Sequence, residues 1–296
     1  MREWTDTHLH LLYPERLHYD WAAPLPALNR RFALEDYAPL ARELGITRTL
    51  HMEVDVRESE IEAENRLVAE LVAAPGSPLA GGISACRPEH DDFPAFLERQ
   101  SANPLVRGFR RVLHVVPDSV SQGETFRRHL RLLGAAGYPF DLCLNADQLH
   151  LGLALARACP DLTLVLDHCG VPQVGTQALD PWRDDICALA ALPRVHCKIS
   201  GVIAYGNAAR WPKGDIGAIA ADLRPFVEHC IQSFGWQRVV WGSDFPVCNL
   251  TRGLAAWKAV TDRLLEGCSD SQIDALAHAN AERLYRLAPV SSASAR

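Results

Sequence analysis

The sequence predicts an α/β chain folded as a distorted (β/α)8 TIM barrel, and three observations predict it. Short apolar segments alternate with helical periodicity eight times along 296 residues. Strict βα alternation implies a parallel sheet, and eight units imply closure. Polar and charged residues gather directly after the strand segments, where a barrel carries its chemistry. An open doubly wound sheet is the competing arrangement. No linker or composition break divides the chain, so residues 1–289 read as a single domain and the Ser/Ala-rich 290–296 as a disordered tail.

The first strand covers residues 4–9, and Asp6, His8 and, just past its end, His10 follow one another at every second position. Alternate side chains of a strand project together, so His8 and His10 share a face. Such a pair can bind one divalent ion or a developing oxyanion; a short edge strand with two polar residues is the plain alternative. The connection 12–32 carries three prolines with Tyr13, Tyr19 and Trp21. Its length points to a functional lid, against a packed surface loop. A helix over 34–44 ends at Gly45, as a C-terminal glycine cap should.

Strands follow at 46–53, 79–85, 106–113, 140–144, 162–166, 195–199 and 238–241, each rich in apolar or β-branched residues. Helices read at 59–73, 92–100, 123–136, 149–158, 181–191, 215–233, 253–265 and 271–287, several stopped by glycine or proline. The strand at 162–166 is continuously apolar, as a strand covered on both faces should be.

Composition excludes several functions. A net charge of −6 gives no electrostatic basis for binding nucleic acid or an anionic membrane. No run approaches a membrane span, and the N-terminus lacks a signal-peptide core. Nine scattered cysteines, with no CxxC pair, suit buried free thiols in a reducing cytoplasm. Gly-rich phosphate loops, a GxSxG elbow and HExxH are all absent.

The strand ends supply His8 and His10, His51 and Glu53, Arg110 and Arg111, Asn145, Asp167 and His168, Lys198 and Ser200, and Ser243 and Asp244. Asp244, in WGSDFP, is read as a general base that takes a proton from water; a turn aspartate is its plainer reading. His168 joins the pair from strand 1. Of Arg110 and Arg111 only one can face the mouth, where a guanidinium suits substrate oxygens. Lys198 and Glu53 are placed among the substrate contacts, with a barrel-layer role as the other reading of Glu53. Tyr19, Trp21, Arg87 and Trp211 are expected to wall the pocket. His114, like the other histidines in loops and helices, reads as ordinary surface.

Taken together, DTHLH at 6–10, VRGFRRVL at 106–113, LDHCGVP at 166–172, CKISG at 197–201, WGSDFP at 241–246 and NAERLY at 280–285 resemble the amidohydrolase-2 family. Within it the chain is most similar to the sugar-acid lactonases, of the L-fuconolactonase and L-rhamnonolactonase types, and the pyrone-dicarboxylate lactonase. The resemblance implies a cytoplasmic hydrolase that opens the lactone ring of a sugar acid or related carboxylated lactone. Asp244 would activate water, and His8, His10 and His168 would polarise the carbonyl or hold a metal. Arg110 would bind substrate oxygens. Strand 5 has no histidine and strand 4 has arginine instead of the bridging lysine, which argues against a binuclear centre. One divalent ion, zinc or manganese, on His8, His10 and Asp244 is one reading of the cofactor, and none is the other. A metal-dependent decarboxylase and a lactone isomerase are the alternative activities. The partner is a small-molecule lactone, and oligomeric state is open, a homo-oligomer included.

Overall fold

Eight parallel strands, β1 (Trp4–Leu9), β2 (Ile46–Met52), β3 (Leu79–Ala85), β4 (Val106–Val112), β5 (Phe140–Cys143), β6 (Leu164–Leu166), β7 (Val195–Ile199) and β8 (Val239–Trp241), pair in chain order. They form the (β/α)8 barrel in this computed structural model, which describes residues 2–212 and 214–289. The tail expected at 290–296 lies outside the described residues. Helices α1 (Leu34–Glu43), α2 (Ile61–Ala73), α3 (Phe93–Ser101), α4 (Ser119–Gln122), α5 (Glu124–Ala135), α6 (Leu149–Ala158), α7 (Trp182–Ala190), α8 (Ile216–Phe234) and α9 (Gly253–Leu264) cover its outside. Among the described residues, no helix is long and apolar enough to cross a membrane.

The distortion lies at the seam between β8 and β1. Among the described residues only one parallel bridge, Leu9 with Phe245, joins the two sides. Side chains replace the missing ladder. Asp6 Oδ1 accepts the backbone N–H groups of His8 (3.0 Å) and Ser243 (2.8 Å), and the Thr7 hydroxyl donates to the Trp241 carbonyl at 2.7 Å. The Asp244 N–H donates to the His8 carbonyl at 2.8 Å, which ties the end of β1 to the turn after β8. The strands run so close here that a Cβ on Gly242 would lie 2.7 Å from that of His8.

Two apolar layers hold the barrel. Outward-facing Phe109, Phe140 and Trp241 pack with Phe126 and Trp257 of the helix layer, all buried. The two indoles are satisfied as well as buried: Trp241 donates to the Thr261 hydroxyl and Trp257 to the Gly242 carbonyl. Truncating either would cost about 3–5 kcal/mol. Inside the barrel Leu50, Met52, Ile83, Val165 and Val240 form a second cluster, closed by Ala281, Tyr285 and Leu287. The closing NAERLY segment is therefore a plug, and its Tyr285 hydroxyl reaches Asp141 at 3.3 Å.

That last segment differs from the continuous helix expected over 271–287. It breaks into α10 (Asp270–Asp274), a π turn (Ala275–Ala279) and α11 (Asn280–Leu284). Beyond the widened turn, the Asn280 amide donates to the carbonyls of Trp236 (2.7 Å) and Val239 (2.6 Å), locking the plug to the start of β8. The connection 12–32 is pinched at its base by mutual hydrogen bonds between Leu12 and Phe32, with Tyr13, Leu17, Tyr19 and Leu28 buried beneath it. From this packed cover Trp21 reaches over the barrel mouth, its indole donating to the Val54 carbonyl at 2.8 Å.

Candidate active site

His8 and His10 emerge from β1 with their Nε2 atoms 3.1 Å apart. The partner of the His10 ring assigns its tautomer. His10 Nδ1 lies 3.0 Å from the Met52 carbonyl, which can only accept, so Nδ1 carries the hydrogen and Nε2 presents a lone pair. His8 Nε2 lies 3.4 Å from Arg110 Nη1, while its Nδ1 lies between Asp167 Oδ1 at 3.4 Å and Lys198 Nζ at 3.3 Å. The two Nε2 atoms thus meet in one spot. Burial lowers both imidazoles, His10 to about 4 with Arg110 adding to the effect, so neither carries a charge there at neutral pH.

Asp244 completes the spot. Its Oδ1 lies 3.5 Å from His10 Nε2 and 3.8 Å from His8 Nε2. Its Oδ2 is buried without a hydrogen-bond partner among the described residues, and burial pushes the carboxyl up to about 6. His168 comes from the turn after β6, its Nδ1 2.9 Å from the Ser200 hydroxyl and 4.0 Å from Asp244 Oδ2. Both His168 (φ 54°) and Asp244 (φ 56°) sit in the left-handed region, costly for residues with a Cβ. Gly201 (φ 65°) makes room for them. A Cβ there would stand 2.5 Å from Asp244 Oδ2 and 2.6 Å from His168 Nδ1.

These donors fit a divalent cation. His8, His168 and Asp244 each place a ligand atom within 4.8 Å of the others. For His8 Nε2, His10 Nε2 and Asp244 Oδ1, the sides of 3.1, 3.5 and 3.8 Å put an equidistant point about 2.0 Å from each atom, against roughly 2.0–2.2 Å for zinc bound to nitrogen or oxygen.

Below the histidines the barrel interior is ionic. Lys198, wholly buried, pairs with Asp141 and Asp167 and reaches the Thr7 carbonyl at 3.3 Å. Burial works against an ionised Asp167, but Lys198 and His8 outweigh it and hold the group well below the usual carboxylate range. Arg110 donates to Glu53 Oε1 (2.6 Å) and the Glu53 carbonyl (2.7 Å), and lies 3.4 Å from Asp167 Oδ2. It is thereby fixed with its charge already balanced.

Above lies a cleft of about 240 Å³, lined by His10, Arg110, His168 and Asp244 together with Trp21, Val54, Asp55, Val112, His114, Asn145, Val171 and Tyr205. Of the residues read from sequence, His8, His10, His168, Asp244 and Arg110 come together, and Trp21 walls the cleft. Others do not line it. Lys198 lies on the far side of His8 and is spent on two carboxylates. Glu53 sits behind Arg110. The Tyr19 hydroxyl accepts the Tyr13 N–H within the loop base. Arg87 points into a neighbouring groove, near Asp55 and Glu58. Trp211 is buried, its indole donating to Asp222. His114, read as surface, lines the cleft instead, 3.4 Å from Cys143 Sγ, and burial lowers its pKa. Tyr205, unremarked in the sequence, stands with its ring 6.1 Å from that of His168.

Comparison with known proteins agrees with this architecture. The model of the amidohydrolase family matches residues 5–287. The chain is 28% identical over 227 residues to an L-fucono-1,5-lactonase of Burkholderia ambifaria, covering 76% of this chain and 74% of that one. An L-fucono-1,5-lactonase of Burkholderia multivorans is 34% identical over 194 residues, 62% of this chain and 63% of its own. An amidohydrolase of Burkholderia multivorans, crystallised with bound zinc, shares the fold with a TM-score of 0.84 at 24% identity, covering 97% of this chain and 100% of that one.

Proposed function

This chain belongs to the amidohydrolase family, and on that premise we propose that it opens the ring of a lactone, with Asp244 as the base. One observation carries the reading. The buried Asp244 carboxylate stands with Oδ1 over a histidine pair at the floor of a small cleft, and its Oδ2 has no hydrogen-bond partner among the described residues. Lactonases among its relatives support the cyclic ester as substrate.

Water at the Asp244 carboxylate gives up a proton as its oxygen attacks the ring carbonyl carbon. The tetrahedral oxyanion is met by Arg110, whose guanidinium is held in place before substrate arrives, and by the Tyr205 hydroxyl on the cleft wall. Each well-placed donor contributes roughly 3–4 kcal/mol at this stage. As the ring C–O bond breaks, the protonated Asp244 returns its proton to the departing ring oxygen. A carboxyl near 6 serves both directions at neutral pH. His8, His10 and Asp244 Oδ1 would hold a divalent ion, with His168 as a further donor. Such an ion, when bound, polarises the carbonyl and acidifies a water.

The cleft favours a neutral polyhydroxylated lactone over one bearing carboxylates. Arg110 is already balanced by Glu53 and Asp167, His114 is kept neutral, and Asp55 adds a carboxyl to the wall. No uncommitted cation faces the cleft among the described residues. Trp21 and the valines supply an apolar face for a sugar ring.

A pH-stat assay tests this, since each ring opening releases one proton from the new acid. We expect turnover of neutral five- or six-membered sugar lactones and none of a dicarboxylated pyrone. Ring migration without proton release would support an isomerase, and carbon dioxide from an aromatic acid a decarboxylase; either overturns the reading.

A further inference from the structure

Outside the cleft the structure holds a second cluster of ligand-type side chains. Cys169 follows His168 in the turn after β6, Cys197 lies on β7, and Cys230 lies on α8. Their three sulfurs lie within 4.8 Å of one another, and all three residues are fully buried. Cys197 is adjacent to the inward-facing Lys198, so it points outward into the layer between barrel and helices. The Trp182 indole donates to the Cys169 carbonyl at 2.8 Å, which fixes one corner of the triangle. Among the described residues, no histidine or carboxylate belongs to the cluster.

The surroundings decide which guest fits. Three thiolates around zinc would leave a net charge of −1 and require a fourth ligand, and around monovalent copper the net charge would be −2. A net charge in this apolar layer is costly. Trivalent arsenic differs: three thiolates neutralise it completely and fill its coordination. We propose that Cys169, Cys197 and Cys230 form a buried three-thiol site for trivalent arsenic, entered as neutral arsenous acid. In the reaction three S–H and three As–OH bonds break, three As–S bonds form, and three waters leave. No electron changes hands. Loading ties Cys169, the residue after His168, to β7 and α8. Because the sulfurs are inaccessible in the closed fold, entry follows local opening of this layer and is slow.

The test is incubation of the reduced full-length protein with sodium arsenite for hours, removal of free arsenite, and intact-mass measurement under native conditions. We expect one adduct per chain with the mass of one arsenic less three hydrogens. Arsenic-edge X-ray absorption of the loaded protein should show three sulfur neighbours. Cys187→Ser, which removes the exposed cysteine, should keep the adduct, and Cys230→Ser should lose it. Absence of any adduct, a sulfur count of two with one oxygen, or an adduct that survives Cys230→Ser would overturn the proposal. The sulfur count in the unaltered protein decides the matter even where Cys230→Ser does not fold.

Discussion

Asp244 approaches His10 with one of its carboxylate oxygens: Oδ1 lies 3.5 Å from His10 Nε2, while Oδ2 is buried and takes no hydrogen bond from the described residues. One oxygen faces the histidine pair and the other faces Gly201 and His168. A buried acceptor with no protein partner costs about 1–3 kcal/mol, and a functional site is where such a cost is retained.

Gly201 controls that arrangement. An added Cβ would collide with Asp244 Oδ2 at 2.5 Å and with His168 Nδ1 at 2.6 Å, on a backbone already at φ 65°. We expect Gly201→Ala to lower kcat/KM by at least ~10²-fold, because a shift of about 1 Å in a catalytic group has that effect. Steady-state kinetics with a thermal melt alongside will separate this loss from unfolding.

Lys198 is a structural cation. Replacing it with methionine leaves Asp141 and Asp167 buried without their common partner. Breaking a buried pair in this way costs roughly 3–5 kcal/mol. We expect Lys198→Met to lower the urea midpoint sharply. A variant of normal stability with a raised KM alone would mean that the lysine contacts substrate after all.

Much of the fold was legible in the sequence. β3, β7 and α6 have the bounds expected from their apolar runs, because glycine, proline and charged turns mark both ends. The His8/His10 pair was legible because alternation along a strand fixes which side chains share a face. Depth and loop paths were not. Whether Lys198 reaches the mouth or stays within the barrel depends on the stagger of eight strands, and no single strand encodes that. Tyr205 and His114 reach the cleft through connections that local patterns do not determine, and Arg87 turns away because Asp55 and Glu58 lie beside it.

Acid should unfold the protein through histidines buried in neutral form. Burial lowers His51 to about 3 and His196 to about 4, against 6.5 as the ordinary value. Below 6.5 the unfolded chain binds protons at these sites and the folded chain does not. Stability is therefore complete above pH 6.5 and falls as the pH drops toward 3–4, by about 1.4 kcal/mol per pH unit for each histidine. Urea midpoints between pH 7.5 and 4 will check the slope; a flat profile would mean that both rings are accessible to protons.

Removal of the cation donors should be visible without any substrate. If the site takes zinc, the purified protein binds one equivalent by calorimetry, and His8→Ala or His10→Ala weakens that binding by ~10²-fold or more, since each removes one of three ligands at about 2 Å. Equal zinc binding in both variants would place the ion elsewhere.

The measurement closest to the central claim is the turnover number of Asp244→Asn on whichever neutral sugar lactone the unaltered protein opens, beside its circular dichroism and melting temperature. The amide keeps the shape and removes the base. We expect a native spectrum with kcat reduced at least ~10³-fold, toward the upper range of what a positioned base contributes. Full turnover by a folded Asp244→Asn would contradict the assignment of Asp244 as the base that activates water.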